Sequence, residues 1–383
     1  MKSIPELLKE TSELLDQMDD VIIDLRVLNI ETQEHMEVAA DLLKQINENI
    51  ELLDNSGNTI SKKIIISDKI HTLSDLLTVA KIYGTPEIDK HVNVNTRILY
   101  DLIEPLEKLN KIIGMDEIKN SIVDLILTSM QRLYDPKTLF HTVITGPPGV
   151  GKTMLAKILG EIYLRVGVLV NEDNKYIFKN AKRSDLIGKY LGHTAMKTQE
   201  LIDSCVGGVL FIDEVYSLGN EEKRDSFSKE CIDTINLNLT EKENFICIIA
   251  GYPDEIENCF FSVNPGLKRR YPFRYDIQGY TYDQLTEIFI SKLTELDWKL
   301  DINKDDLSEF FKDNQKKLQY FGGDIDNLIM GCKTCHSRRI FGQDDSLRKI
   351  LTFEDIAGGF GKLLEHKNKN NVENNDYLNR MYL

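Results

Sequence analysis

The chain has 383 residues, 42% of them hydrophobic, and carries a formal net charge of −15. Its length allows two or three domains, and its first 110 residues hold 21 acidic against 11 basic side chains. This acidity disfavours non-specific nucleic-acid binding, although it leaves a local basic groove open. The N-terminus lacks the apolar core of a signal peptide, and no stretch approaches about 18 apolar residues, so we expect a cytoplasmic protein without a membrane span.

The first part of the chain has the pattern of a helical domain, which we place at residues 1–109. Apolar residues recur at helical spacing over residues 5–53, as one long helix or as a hairpin, and Gly57 lies in a clear stop. Two further helices are predicted at Ser74–Tyr83 and Asn95–Leu109. Such a domain either packs on its neighbour or acts as an adaptor or oligomerisation domain, and the pattern favours neither.

Strand and helix patterns alternate in residues 110–279. A helix pattern that reaches about Tyr134 comes first. The predicted strands are Phe140–Thr145, Tyr176–Asn180, Gly208–Asp213, Phe245–Ala250 and Phe273–Ile277. This alternation predicts an α/β fold, a P-loop parallel sheet flanked by helices, whose ligands bind at the carboxyl ends of the strands.

Strand patterns stop at about Tyr280, and residues 280–365 have the pattern of a helical lid domain. The predicted helices are Tyr282–Leu296, Lys304–Leu318, Ile325–Phe341 and Phe353–Leu364. Residues 366–383 are polar and rich in asparagine, a composition that predicts a disordered tail.

The six cysteines are scattered through the chain, and we interpret them as reduced thiols. Cys332, Cys335 and His336 match the C-x-x-C-H pattern of covalent haem attachment. No export signal accompanies them, no second C-x-x-C completes a zinc site, and they fall within a predicted helix. We therefore favour a structural role for these three residues.

The stretch Gly146–Thr153 reads G-P-P-G-V-G-K-T and lies between a predicted strand and a predicted helix, which is the context of a phosphate-binding loop. Its glycines let backbone N–H groups surround a phosphate at the helix N-terminus. Lys152 is expected to reach the β- and γ-phosphates, and the Thr153 hydroxyl to ligate Mg²⁺. The residues expected to line the nucleotide are Pro148, Gly149, Val150, Gly151, Lys152, Thr153 and Met154.

A second chemical motif ends the apolar strand Gly208–Asp213, where Asp213 and Glu214 place two adjacent carboxylates. If this strand lies in one sheet with the P-loop strand, Asp213 sits beside Mg²⁺ and binds it through water. Glu214 then orients and polarises the water that attacks the γ-phosphate.

Six motifs together carry a specific resemblance. They are I-I-G-M-D-E-I-K (112–119), G-P-P-G-V-G-K-T (146–153), D-L-I-G-K-Y-L-G-H-T-A-M-K-T (185–198), G-G-V-L-F-I-D-E-V-Y-S-L (207–218), A-G-Y-P-D-E-I-E (250–257) and N-P-G-L-K-R-R (264–270). Over residues 110–365 the chain resembles AAA+ ATPases, and more narrowly those of the CbbX/CfxQ and SpoVK type. The first hundred or so residues lie outside the resemblance.

The resemblance implies a homo-oligomeric ring, usually a hexamer, that hydrolyses ATP with Mg²⁺ at sites between neighbouring subunits. It implies adenine contacts for Ile112, Ile113 and Gly114, and it places Tyr252 loosely at the polar sensor after the fourth strand. Arg270, with Arg269 as second choice, matches the arginine that reaches the γ-phosphate of the next subunit. The residues that match the central-pore loop are Lys189, Tyr190 and Leu191.

One region departs from the family pattern. The resemblance places an arginine of the small domain at the γ-phosphate, but residues 321–327 read F-G-G-D-I-D-N. The nearest downstream candidates, Arg338 and Arg339, lie about four helical turns further on. The sensing role is therefore lost, supplied by another cation, or shifted in register.

Three functions stay open on these residues. The first is a ring ATPase that remodels or threads a protein client through a pore lined by Tyr190. The second is a nucleic-acid motor or loader, against which the acidic balance and the aromatic loop count. The third is a slow, nucleotide-gated scaffold that binds a partner through its N-terminal helices. The client is not identified by the sequence.

Overall fold

The structure is a computed structural model that describes residue 66 and residues 69–88, 92–171, 175–190, 192–219, 226–242 and 244–381. The elements below belong to one compact unit, formed by Asp68–Asp89 and Val94–Leu383. The helical pattern predicted over residues 5–53 lies outside the described residues. None of the helices in the described ranges has the length and hydropathy that crossing a membrane requires.

Two helices precede the sheet, α1 (Leu73–Tyr83) and α2 (Thr96–Asn110), and both predicted helices are confirmed. Thr72 caps α1 in a capping box, and the Asn95 side chain accepts a hydrogen bond in the first turn of α2. Gly84 ends α1 in an extended conformation. These local signals explain why the boundaries agree with the sequence within one residue.

The α2 helix packs against the P-loop helix, α4 (Lys152–Arg165). Its buried face carries Leu102 and Leu106, which are fully buried. At its edge the Lys108 ammonium lies 3.0 Å from a Glu161 carboxylate oxygen of α4. The chain that enters the nucleotide domain is therefore seated on the helix that follows the P-loop.

Five parallel strands form the central sheet, as the alternation predicts, and their order is β2-β3-β4-β1-β5. The strands are β1 (Thr142–Thr145), β2 (Phe178–Ala181), β3 (Gly208–Ile212), β4 (Phe245–Gly251) and β5 (Phe273–Asp276). Besides α4, the helices around them are α3 (Asp116–Met130), α5 (Arg183–Leu186), α6 (His193–Asp203), α7 (Ser226–Glu241), α8 (Pro253–Glu255) and α9 (Leu267–Arg270). Strands β3 and β4 are buried along their whole length, as central strands covered on both faces must be.

The register of the sheet brings the loops after four strands together. Thr145 of β1 pairs with Gly251 of β4 on one side and with Asp276 of β5 on the other. Ile212, the last residue of β3, pairs with Ile249 of β4. Because all four strands end at the same edge, the residues that follow them face one crevice.

The C-terminal part is helical, with α10 (Tyr282–Glu295), α11 (Lys304–Asn314), α12 (Phe321–Arg339) and α13 (Phe353–Met381). The prediction that strands stop at Tyr280 is wrong. Strand β6 (Lys299–Asp301) pairs in parallel with β7 (Ile350–Thr352). Three residues a strand are too few to produce the alternation that sequence patterns detect.

The tail predicted to be disordered is also different, because α13 continues as helix to Met381. No glycine or proline follows Gly361 to end the helix. Lys367, which lies less than one helical turn beyond the predicted helix end at Leu364, donates to Asp324 of α12. This tertiary contact holds the first turn of the segment whose composition predicts disorder.

Candidate active site

The P-loop joins β1 to α4 through three glycines with positive φ, Gly146 (147°), Gly149 (75°) and Gly151 (94°). A Cβ atom built on Gly149 would collide with the carbonyl oxygen of Tyr320, so backbone packs directly on backbone at this point. Gly151 is the N-cap of α4, and no side chain caps the helix. The N–H groups of the first turn are thus available to an anion.

Two predicted nucleotide contacts differ in their exposure. The Val150 side chain is buried, whereas Met154 is 48% exposed. The Val150 carbonyl accepts a hydrogen bond from the Tyr280 hydroxyl at 2.8 Å. Val150 therefore anchors the loop, and Met154 presents an apolar surface beside it.

Lys152 folds back over the loop. Its ammonium donates to the carbonyl oxygens of Gly146 (2.8 Å) and Pro147 (2.9 Å). Burial lowers the pKa of the Lys152 ammonium, against the charges of Asp213 and Glu214, which raise that pKa. A half-buried cation with neutral partners is well placed to exchange carbonyl oxygens for phosphate oxygens.

The P-loop helix and the end of β3 meet at a side-chain hydrogen bond. The Thr153 hydroxyl donates to Asp213 Oδ2 over 3.0 Å. A hydroxyl and a carboxylate supply the oxygen ligands that Mg²⁺ prefers, so the donor set fits this ion. The two residues predicted to serve the metal therefore lie together.

Glu214 adopts the left-handed conformation, with φ 49° and ψ 47°, which is strained for a residue other than glycine. Its N–H donates to Asp213 Oδ1 at 3.0 Å, and its side chain is exposed. Glu214 thus departs from the extended conformation of the strand before it. Strain of this kind is typical of functional positions.

Two tyrosines lie at the same edge of the sheet as the P-loop. The rings of Tyr216 and Tyr252 stack with centroids 5.7 Å apart, and the Lys152 ammonium lies 5.4 Å from the Tyr252 centroid. Burial, followed by the carboxylates of Glu214 and Glu255, raises the pKa of the Tyr216 phenol. Tyr252, which sequence reasoning placed only loosely, thus lies beside the P-loop lysine.

The predicted adenine segment comes close to the same loop. Ile112 is buried, and its carbonyl accepts a hydrogen bond of 2.5 Å from the buried Lys119 ammonium. Gly114 has a φ of 71°, and a Cβ atom there would lie 2.7 Å from the Gln284 amide of α10. The Met115 methyl lies near Gly151, so the predicted adenine segment lies next to the P-loop. The exposure of Ile113 is intermediate.

The arginine pair of α9 lies apart from these contacts. The Arg270 guanidinium donates to Thr240 Oγ1 (2.6 Å) and to the Gly266 carbonyl (3.0 Å), and it is half-buried. Arg269 is exposed. The two candidate arginines therefore differ, one held by its own subunit and the other open to solvent.

The predicted pore loop also lies away from the P-loop contacts, between α5 and α6. Tyr190 is 67% exposed and contacts only the edge of His193 among the aromatic rings of the described residues, at 5.4 Å. Lys189 is exposed too, and Leu191 lies outside the described residues. The Gly188 N–H donates to Thr194 Oγ1, which fixes the start of the loop on α6.

The region that lacks the family arginine nevertheless contacts the P-loop. The Gly322 N–H donates to the Gly149 carbonyl over 3.0 Å. Sequence reasoning missed this contact, although two consecutive glycines just before the predicted helix Ile325–Phe341 indicate a close backbone approach. Arg339 is bound instead to Asp355, with 2.8 Å between Nη2 and Oδ2.

The C-x-x-C-H residues have structural surroundings. Cys332 is buried, and His336 lies between a carboxylate oxygen of Asp355 (3.2 Å) and the Arg348 carbonyl (3.1 Å). Within the described ranges, no group of three or more acidic, histidine or cysteine side chains could hold a metal ion. His336 therefore ties α12 to the chain around β7.

This sheet order, with a P-loop after β1 and paired carboxylates after β3, defines a P-loop ATPase of the AAA class. Residues 142–264 match the family model described as "ATPase family associated with various cellular activities (AAA)". A cfxQ-like protein of Acanthamoeba polyphaga mimivirus is 44% identical over 328 residues, which cover 83% of this chain and 79% of that protein.

Two further relatives agree. The CfxQ homolog of Galdieria sulphuraria is 31% identical over 289 residues, 72% of this chain and 92% of its own. The stage V sporulation protein K of Bacillus subtilis is 37% identical over 210 residues, 52% and 63% of the two chains. The chain therefore belongs to the CbbX/CfxQ family of AAA+ ATPases, and its reaction is the hydrolysis of ATP.

Proposed function

We propose that this ATPase forms a homo-oligomeric ring, most simply a hexamer, and pulls an extended protein segment through a pore lined by Tyr190. The observation that carries the proposal is the 67% exposure of Tyr190 next to the exposed Lys189. An exposed aromatic side chain on a loop can pack against an extended peptide, and this packing is indifferent to the sequence of the peptide.

In this proposal ATP binds at the crevice between the P-loop and the end of β3. Lys152 and the N–H groups of the P-loop bind its phosphates, and the oxygens of Thr153 and Asp213 hold Mg²⁺, the latter through water. The bound ion neutralises charge on the phosphates. Glu214 accepts a proton from the attacking water and orients it, which its exposed carboxylate and strained backbone support.

In the assembled ring, the site is completed by an arginine from a neighbouring subunit. Arg270, or failing it Arg269, reaches the γ-phosphate bound by the neighbouring subunit and stabilises the charge of the transition state. Arg270 would exchange its bonds to Thr240 and Gly266 for phosphate oxygens. Hydrolysis then depends on assembly, which couples each turnover to the ring.

Threading is tested with fluorescein-labelled casein, a protein without stable structure, and the Glu214→Gln variant in ATP. We expect casein to bind this ATP-locked ring, and the added Tyr190→Ala change to weaken binding by about tenfold or more. Tyr100→Ala, which removes another exposed tyrosine on α2, serves as the matched control. Its affinity should stay within about twofold of the parent.

The other two functions have their own outcomes in the same assay. Salt-dependent binding of single-stranded DNA by the locked ring, with no casein binding, would overturn threading in favour of a nucleic-acid motor. If neither probe binds and wild-type turnover is negligible at every protein concentration, the scaffold takes its place. Casein binding that Tyr190→Ala leaves unchanged would contradict the pore assignment.

A further inference from the structure

A short chain of polar contacts runs from the last helix to the P-loop. It begins at Lys367 of α13, whose ammonium lies 2.6 Å from Asp324 Oδ2 and 2.7 Å from the Lys317 carbonyl oxygen. Asp324 is 1% exposed, and the Lys367 side chain is 22% exposed. A carboxylate this deeply buried requires a cation, and Lys367 supplies it.

Asp324 in turn contacts the turn at the start of α12. Its Oδ2 also accepts a hydrogen bond from the Tyr320 N–H at 2.9 Å. The Lys367 ammonium lies 5.3 Å from the centroid of the Tyr320 ring. Phe321, the next residue, has a φ of 42°, a conformation that only surrounding contacts can maintain in a phenylalanine.

The Tyr320–Gly323 turn contacts the P-loop directly. Gly322 donates its N–H to the Gly149 carbonyl over 3.0 Å, and the position of a Cβ atom on Gly149 is filled by the Tyr320 carbonyl. Both contacts are between backbones, so a side chain cannot relax to absorb a shift. Movement of the turn must therefore move the loop or break its anchor.

We propose that Asp324 and Lys367 are positioning residues, whose ion pair fixes the Tyr320–Gly323 turn and, through it, the phosphate-binding conformation of the P-loop. The pair occupies the region where the family arginine is missing, but it acts through backbone contacts and does not reach the nucleotide. The inference rests on nucleotide binding and hydrolysis alone, and does not depend on a ring or on threading.

The proposal makes a specific kinetic prediction. Removing the Lys367 charge leaves Asp324 buried without a cation, and removing the Asp324 charge weakens its hold on the Tyr320 N–H. The P-loop then loses its anchor, and nucleotide binding is weakened. Asp213 and Glu214 lie in the turn after β3, outside this chain of contacts, so turnover at saturating ATP should change less than KM.

The test uses the full chain with Lys367→Met, Asp324→Asn and Lys367→Arg, and measures the Kd of a fluorescent ADP analogue with KM and kcat for ATP. We expect Lys367→Met and Asp324→Asn to raise Kd and KM by about five- to tenfold, and Lys367→Arg to restore most of the affinity. Asp326→Asn is the matched control, since Asp326 lies on α12 like Asp324 but forms an exposed pair with Lys292 of α10. It should leave Kd within about twofold of wild type.

If a single variant does not fold, the double variant Asp324→Leu/Lys367→Met carries the test, because it leaves no buried charge. Its Kd should also rise, since the Tyr320 N–H loses its acceptor. An ADP affinity within twofold of wild type in the folded variants would overturn the proposal. So would a fall in kcat at unchanged KM, or an Asp326→Asn variant that weakens binding as much as Asp324→Asn.

Discussion

The Thr153 hydroxyl and Asp213 Oδ2 lie 3.0 Å apart, and this hydrogen bond joins the first turn of the P-loop helix to the end of β3. The two residues are 60 positions apart in the chain, and the parallel register of the sheet brings them together. Their oxygens are thus held in place before a metal or nucleotide arrives, which reduces the reorganisation needed on binding.

The Mg²⁺ dependence of ATP hydrolysis should require the Thr153 hydroxyl. We expect Thr153→Val to lower kcat/KM by about 100-fold, because it removes one oxygen ligand and the partner of Asp213. Thr153→Ser keeps the hydroxyl and should retain most of the activity. ATPase rates titrated with Mg²⁺ measure the effect, and a Val variant with the wild-type Mg²⁺ dependence would exclude this ligand.

Gly149 should tolerate no side chain. In Gly149→Ala the new Cβ meets the Tyr320 carbonyl, and we expect a loss of about 3 kcal/mol or more in nucleotide binding or in stability. Gly167→Ala is a matched control, because Gly167 also has a positive φ, 80°, but nothing lies near its Cβ position. The control should lose only about 1 kcal/mol of unfolding free energy. Equal effects of the two changes would show that the close contact at Gly149 is unimportant.

Tyr280 should influence nucleotide affinity through the P-loop. Tyr280→Phe removes the hydrogen bond to the Val150 carbonyl, with an expected cost of about 1 kcal/mol in unfolding free energy and a higher KM for ATP. Tyr163→Phe removes a buried hydroxyl contact to Thr142, remote from the loop, at 2.8 Å. It should cost similar stability and leave KM unchanged. If the KM values of the two variants move together, Tyr280 has no particular role at the loop.

His141 should make the protein less stable in acid. Its Nδ1 accepts from the Cys247 N–H (3.0 Å), and its Nε2 donates to the Leu239 carbonyl (2.8 Å), an arrangement that fits the neutral ring. Burial lowers its pKa from 6.5 to about 4. The pKa of His141 is lower in the folded state than in the unfolded state, so its contribution to the free energy of unfolding is complete above pH 6.5. This contribution, roughly 3 kcal/mol, is lost as the pH falls toward 4.

Unfolding by urea between pH 7 and pH 4 measures this loss. In His141→Gln an uncharged amide can accept from Cys247 and donate to Leu239, so its unfolding free energy should fall less steeply over the same range. Parallel pH profiles for wild type and His141→Gln would contradict the assignment.

Motifs predicted the parts of the site that are contiguous in sequence. Gly146–Thr153 and the pair Asp213–Glu214 carry their chemistry in the order of their residues, and the parallel sheet places them together. The contact of Tyr280 with Val150 spans 130 residues and has no local signature. The ion pair of Lys367 with Asp324 likewise depends on the packing of α13 on α12, which composition alone does not predict.

The two arginines of α9 also have roles that local sequence motifs do not decide. The sequence placed Arg270 ahead of Arg269 by its match to the family motif, and the structure adds that Arg270 is tied to Thr240 while Arg269 is exposed. The position of a neighbouring subunit is needed to choose between them. Variants of both residues therefore belong in the deciding experiment.

That experiment is the steady-state ATPase rate per subunit as a function of protein concentration, for wild type, Glu214→Gln, Arg270→Ala and Arg269→Ala. The account predicts a wild-type rate that rises with concentration as shared sites assemble, and that is abolished by Glu214→Gln and by Arg270→Ala. A rate per subunit that is independent of concentration, and that survives both arginine changes, would contradict a site completed by a neighbouring subunit.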